Sequence, residues 1–363
     1  MVNVQQPVIH KGLDGVVVDT TAVSLVDGAR GELSYRGHEI GALVGRPFAE
    51  VAALVATGSF DADFGRRLTD HGTLSPREEA LVLALPDAVH PMHVLQGLTP
   101  VLDPSDAFAD QGDAAQGFAV AAKLPALIAT HFRRASVRDI RAEDPIRQFL
   151  AQIDAPEHEA ARRAFEVAQI LQIEHGFNAG TFTARVVAST LAPVENALSA
   201  AFGALHGVLH GGADQAALET ADRVGSPERA AAFVDDCLAS GERVMGMGHR
   251  EYKVIDPRAV HLKGLAGRLA EGTPHEVTFR TLEAIEARFS ERMAERGKDL
   301  YANVEFYKGL VFRVLGLPPR FFTALFGMAR VYGYLAHFVE CREDNRIVRP
   351  QAHYVGPPVA RAS

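Results

Sequence analysis

The chain has 363 residues, which at about 150 per domain means two or three domains, or one large domain with an inserted lobe. Hydrophobic residues make up 47% and charged residues 23%, a composition that can bury a core and that excludes disorder and collagen-like repeats. The formal charge of −8 argues against nucleic acid as the main partner.

That charge is unevenly spread. Residues 1–240 hold 18 Lys and Arg against 31 Asp and Glu, a net −13; residues 241–363 hold 19 against 14, a net +5. Basic residues concentrated in an acidic protein suit a small anionic ligand, with solvated helix faces as the plainer alternative. Cys237 and Cys341 are the only cysteines, so no disulfide scaffold or cysteine-rich zinc site is available. Reduced thiols and a cytoplasmic setting are expected. The first residues, MVNVQQPVIHKG, show no apolar run of the secretory type.

In chain order, the first pattern is GVVVDTTAVSLVDGARGELSYRG, with β-branched clusters broken by Asp27-Gly28 and Arg30-Gly31, which predicts short hairpins. From residue 40 the apolar spacing is helical, with Ser, Asp or Pro at many starts and Gly or Pro at many ends. The expected class is mainly α, with about 14 to 18 helices.

Ala161, Ala164, Phe165, Ala168 and Leu171 form an apolar stripe on a helix predicted to run to His175, with Gly176 as its cap. A histidine at a buried helix end is ordinarily structural and gains meaning only if other polar groups converge on it. Next, Gly207 is expected to end a helix and the following one to begin near Ala213. His210 then falls in a glycine-flanked turn where backbone can approach a ligand. His206 and His210 are four apart, but Gly207 breaks the helix that would align them and no further ligand is near, so no metal is expected. In MGMGHREYKVIDPRA, Gly246 and Gly248 predict a tight turn into His249, followed by Arg250, Lys253 and Arg258, a plausible cradle for phosphate or carboxylate.

Asn303 reads as an N-cap, which places Glu305 in the first turn of its helix. There the helix dipole favours an ionised carboxylate, as a general base requires and as helix stability alone also favours. The stretch 321–339 approaches the length of a membrane span, but Arg330 at its centre predicts a helix buried in protein instead. With apolar residues on both faces, Arg330 needs an anion, supplied by the protein or by a ligand. Arg349 lies in a short segment before Pro350.

Together, EHGFNAGTFTAR, LHGGA, GMGHREYKVIDPRA, NVEFY, ARVYGYLAH and RPQAHYVG, in this order, resemble the citrate synthase family over nearly the whole chain. The pattern is similar to the short bacterial and archaeal enzymes, which include 2-methylcitrate synthases. The resemblance implies a citrate synthase-like fold: a large helical domain, 1–211 plus 318–363, with an inserted small helical domain, 212–317, and a short N-terminal β region. It implies a homodimer that condenses an acyl-CoA with oxaloacetate and hydrolyses the thioester, with acetyl-CoA giving citrate and propionyl-CoA as the alternative donor.

By the same resemblance His210, His249 and Glu305 would be catalytic. His210 would bond the thioester oxygen, Glu305 would remove the α-proton, and His249 would polarise the oxaloacetate carbonyl. His175, Arg258 and Arg330 would bind oxaloacetate, with Arg349 donated across the dimer. Lys253, Lys298, Asn303, Gly246 and Gly248 would contact coenzyme A, a co-substrate and not a tightly bound cofactor; no metal, membrane or nucleic acid is implied.

Three positions in this site depart from the family. Glu305 replaces an aspartate, and its extra methylene moves the carboxylate about 1.5 Å, a displacement worth on the order of 100-fold if uncompensated. Gly180 replaces a serine that orients the histidine matched by His210, and Asp214 replaces an asparagine. Gln351 stands where relatives often have a second arginine. One expectation is that the space at Gly180 accommodates Glu305. A weakly active paralogue that binds dicarboxylate and CoA is the competing outcome, and a metal hydrolase using His206 and His210 is a distant third.

Overall fold

Asp27 turns the chain where the sequence places the turn, its Oδ1 accepting from the backbone N–H of Ala29 (3.0 Å) and Arg30 (2.9 Å). The computed structural model describes residues 8–357 except 157 and 250. Residues 1–7, the start of the N-terminal stretch that shows no secretory-type apolar run, and Arg250 of the basic run therefore lie outside the described residues. Strands Ser24–Asp27 and Glu32–Tyr35 pair antiparallel, with Val26 opposite Leu33, and the short strand His38–Glu39 pairs with the second. The β-branched residues before Val23 form no strand; Val17 and Val18 are exposed.

Beyond this sheet the described residues form sixteen α-helices. Helix starts follow their local chemistry. Ser75 and Glu78 make a reciprocal capping box, and Asp144, Asn178 and Asp256 accept first-turn backbone N–H groups. The long helix Phe322–Glu343 is buried at every position from Phe322 to Phe338. It packs against Phe48–Thr57, Ala115–Arg133, Ala179–Ser189 and Val194–Leu205, as an apolar-all-round helix must. Among the described residues no single helix is long and apolar enough to cross a membrane.

Four later helices, Ala213–Val224, Pro257–Ala270, Glu276–Ala294 and Glu305–Val314, pack on one another. Two of them, Pro257–Ala270 and Glu305–Val314, also meet Glu159–Leu171.

The small sheet braces this junction. Tyr35, fully buried, places its hydroxyl 3.2 Å from the Ile170 carbonyl, 3.3 Å from that of Leu171 and 3.1 Å from that of Glu174. At the hairpin tip Gly28 accepts from the Lys253 N–H at 2.8 Å. A Cβ on Gly28 would sit 2.1 Å from the Glu251 carbonyl oxygen, so only glycine allows this approach.

One predicted boundary is corrected. The helix expected to reach His175 ends at Leu171, and residues 172–178 form an irregular segment with Gly176 at φ +59°. The carbonyls that leave the helix there are met by Tyr35 from the distant hairpin.

Candidate active site

Five of the predicted side chains converge where the irregular segment after Leu171 meets the helices Pro257–Ala270, Glu305–Val314 and Phe322–Glu343. His175 is buried, its Nε2 3.2 Å from the Tyr252 hydroxyl and its ring 5.2 Å from that of His249. Burial, reinforced by Arg258, His249 and Arg330, holds its pKa well below the ordinary imidazole value. The ring is therefore neutral at pH 7.

Gly246 and Gly248 turn the chain into His249 at φ +80° and +84°, conformations open to glycine. At Gly246 a Cβ would also meet the Phe306 ring at 2.7 Å. The turn is tied down by Asn303, whose N–H donates to the Gly246 carbonyl (2.9 Å) and whose Nδ2 donates to that of Gly248 (3.2 Å).

His249 Nδ1 accepts from the backbone N–H of Glu251 (3.0 Å) and Tyr252 (3.2 Å), so the ring proton belongs on Nε2. That nitrogen faces Arg258 Nη2 at 3.3 Å. Two donors this close can both reach one oxygen acceptor placed to the side of the line between them. Burial and Arg258 push the His249 pKa down to about 4, which keeps the ring neutral at pH 7.

Arg258 stands in the first turn of its helix, gripped by the N-cap residue Asp256: Nε to Oδ1 at 3.0 Å and Nη2 to Oδ2 at 2.8 Å, both side chains buried. Burial alone would raise the Asp256 carboxyl, but Arg258 outweighs it and holds it below the carboxylate range. Arg330 has no such partner. Its Nε donates to the Gln172 carbonyl at 2.7 Å and its guanidinium lies 4.8 Å from the Phe326 ring centre, and no carboxylate among the described residues pairs with it. A buried guanidinium left this way can take an anion.

Asn303 Oδ1 accepts from the Glu305 N–H at 3.0 Å, although the helix proper begins one residue later than an Asn303 cap implies, after Val304. Glu305 is buried, and this lifts its carboxyl to about 7. Lys308 pulls it down, Asp214 pushes it up, and Arg258 and Arg330 pull it down. A carboxylate poised there can exchange protons near neutrality.

His210 lies in the turn between Val194–Leu205 and Ala213–Val224, as predicted. Its Nε2 is 3.2 Å from Asn178 Oδ1, an oxygen that also accepts from the Gly180 and Thr181 N–H groups. Nε2 is therefore the protonated nitrogen. Burial, with a smaller contribution from Arg330, pushes its pKa down to about 4. His206 faces elsewhere, stacked 4.4 Å from His90 and edge-on 4.8 Å from His93.

The space at Gly180 does not go to Glu305. A Cβ there would fall 2.3 Å from the Tyr334 hydroxyl, so the tyrosine fills it. That hydroxyl is buried with no hydrogen-bond partner among the described residues.

The remaining predicted residues are not gathered here. Lys253 and Lys298 are exposed on loops, and Arg349 is exposed in the extended segment after Glu343. Sequence reading missed Tyr252, Asn178, Asp256 and Tyr334 as supports. Asn178 and Asp256 were detectable as N-cap residues; for the two tyrosines no local signal exists.

Two buried guanidinium groups, neutral imidazoles and a carboxylate near neutral pKa suit acid–base chemistry on a small dicarboxylate. The comparisons agree on the class. The model of the citrate synthase C-terminal domain matches residues 12–351. A citrate synthase from Synechocystis is 36% identical over 96% of this chain and 91% of its own. A 2-methylcitrate synthase from Corynebacterium glutamicum is 34% identical over 96% and 95%. The solved citrate synthase of Thermoplasma acidophilum, a ternary complex with carboxymethyl coenzyme A and oxaloacetate, superposes with a TM-score of 0.88 at 25% identity, covering 99% of both chains. The chain belongs to the citrate synthase family and is an enzyme of that type.

Proposed function

We propose that this enzyme condenses acetyl-CoA with oxaloacetate and hydrolyses the resulting thioester to citrate and coenzyme A. The observation that carries the reading is the pairing of an unpartnered buried Arg330 with a Glu305 carboxyl held near pH 7. Arg330, Arg258 and His175 hold the two carboxylates of oxaloacetate and fix its carbonyl for attack. Glu305 removes the α-proton of the thioester. Because that proton is weakly acidic, the step needs a donor at the developing oxygen, and the Nε2–H of His210 supplies it by leaving Asn178.

The enol carbon then attacks the oxaloacetate carbonyl. His249 Nε2–H and Arg258 Nη2, which face the same gap, stabilise the alkoxide, and His249 gives it a proton. Water cleaves the thioester, releasing coenzyme A. Lys253, Lys298 and Asn303, with the Gly246–Gly248 turn, contact coenzyme A.

The two-lobe division at 212–317 accompanies this reading, closure bringing the exposed lysines and His210 to the substrates. Arg349 of a partner subunit completes the dicarboxylate site in a homodimer, which the exposed, extended segment carrying Arg349 supports. Two free, buried cysteines fit a cytoplasmic enzyme.

Thiol release from acetyl-CoA and propionyl-CoA, each with and without oxaloacetate, tests the reaction. Oxaloacetate-dependent release with acetyl-CoA preferred is expected. A preference for propionyl-CoA, one methylene worth about 1–3 kcal/mol, makes it a 2-methylcitrate synthase, the reading favoured by the Corynebacterium relative. Release from neither donor leaves a binding protein.

A further inference from the structure

Glu305 shares its helix face with a second charge. Lys308 follows it by three residues, one turn along, and is fully buried. Its Nζ lies 3.1 Å from Asp214 Oδ2, also fully buried, and donates to Gln172 Oε1 at 3.0 Å. The ammonium sits 4.4 Å from the centre of the Phe326 ring. Each partner belongs to a segment that carries a site residue: Gln172 precedes His175 and its carbonyl holds Arg330, Asp214 opens the helix after His210, and Phe326 also stacks under Arg330. The backbones are close as well. A Cβ on Gly309 would meet the Asp214 carbonyl oxygen at 2.9 Å.

The surroundings of Glu305 therefore hold two more carboxylates. Facing Glu305 are Lys308 on its own helix, Asp214 on Ala213–Val224, Arg258 with its Asp256 on and before Pro257–Ala270, and Arg330 on Phe322–Glu343. Asp256 is neutralised by Arg258, and among the described residues Asp214 has only Lys308 as a counter-cation within ion-pair distance.

We propose that Lys308 is a positioning residue for Glu305: by pairing with Asp214 it neutralises the second buried carboxylate, so that Glu305 is the group in this pocket that takes and returns the proton. The inference rests on Glu305 being the base of the proposed reaction. The pair also accounts for the Asp214 departure, since an acid at that position is tolerated when a lysine lies one helix away.

The sign of each perturbation follows. In Asp214→Asn the charge that pushes the Glu305 carboxyl up is removed while the lysine that pulls it down remains, so Glu305 ionises more readily. In Lys308→Met the Asp214 charge is uncompensated and Glu305 ionises less readily. A charge this close moves a carboxyl by about 1–3 units.

The experiment is the pH dependence of kcat for the wild type, Asp214→Asn, Lys308→Met, the double variant and Glu305→Gln, with melting curves for each. The expected result is an acidic limb displaced by about one unit or more to lower pH in Asp214→Asn and to higher pH in Lys308→Met, the double variant lying between them. If Lys308→Met does not fold, Asp214→Asn against the double variant still decides, because the shift must disappear when the lysine is also removed. Limbs that coincide in all folded variants overturn the inference while leaving Glu305 as base. A Glu305→Gln enzyme with wild-type activity overturns the base itself.

Discussion

Two lysines are buried against carboxylates in this molecule, and their surroundings differ. Lys123 donates to Glu78 Oε1 and to the Asp103 carbonyl, both at 2.8 Å. Glu78 is then saturated, Oε1 accepting from the Asp103 N–H and Oε2 from the Ser75 N–H, each at 2.6 Å. Every charge-bearing atom there closes a local structure, the capping box and the turn at Asp103. Around Lys308 the account is left open. Asp214 Oδ2 makes no directed hydrogen bond although the ammonium is 3.1 Å away, and Gln172 Nε2 has no partner among the described residues. A saturated buried pair is a structural clasp; an unsaturated one beside a titrating carboxylate can respond to what that carboxylate does.

The sharpest break of this comparison is at Glu305 itself. Glu305→Gln is isosteric and removes the proposed base, so kcat should fall by about 10²–10⁴-fold with an unchanged melting temperature. Steady-state thiol release and calorimetry on one preparation check it. At the clasp the opposite holds. Lys123→Met strands the Glu78 charge and should cost about 3–5 kcal/mol of stability, read from denaturant unfolding, with the pH profile of kcat undisturbed. Movement of that profile would show that the two pairs are not different in kind.

Arg330 sharpens the contrast from the side of the ligand. It forms no ion pair with a carboxylate among the described residues, and Glu174, which also feels its charge, keeps His337, so Arg330→Met should cost less stability than Lys123→Met and instead weaken oxaloacetate, by about 1.5–3 kcal/mol for lost charged hydrogen bonds. The expected readout is a raised oxaloacetate KM. A large loss of stability instead would mean that Arg330 supports the core and is not held for an anion.

What the sequence could show follows from where each partner lies. Arg330 was legible because apolar residues flank it on its own helix, and Glu305 because Asn303 announces the helix start two residues before it. His175 was legible as a residue but not in its setting. Its helix stops at Leu171, where the hydroxyl of Tyr35, far away in the chain, lies against the last carbonyls, and no local propensity encodes that contact. The missing side chain at Gly180 was visible, while its replacement by Tyr334 depends on packing between Ala179–Ser189 and Phe322–Glu343. Nothing local marks Lys308, because its partners Asp214 and Gln172 come from distant segments.

The smallest effect concerns a third charged cluster, which joins the N-terminal segment to the back of the Arg330 helix. His337 Nε2 lies 3.0 Å from Glu174 Oε1, and His337 Nδ1 lies 3.5 Å from Glu340 Oε2. Glu340 accepts from the Ala22 N–H at 2.7 Å and pairs with Arg185, which also holds Asp19. Burial lowers the His337 pKa, but Glu174 and Glu340 outweigh it and leave it raised; the Glu340 carboxyl, raised by burial, is pulled down by His337 and the Ala22 N–H to about 2. The raised imidazole stabilises the fold fully below its ordinary value near 6.5 and stops doing so as pH climbs through its folded value. The lowered carboxyl stabilises it above its ordinary value near 4.5 and stops as pH falls toward 2. The cluster therefore contributes most between about pH 4.5 and 6.5. Melting temperatures across pH 4 to 9 should show an alkaline decline in the wild type that is shallower in His337→Gln. Because Glu340 is only half buried, solvent screens part of the effect and the difference should shrink in high salt. Identical slopes in the two proteins would mean that His337 is neutral in the fold and that its carboxylate contacts are ordinary hydrogen bonds.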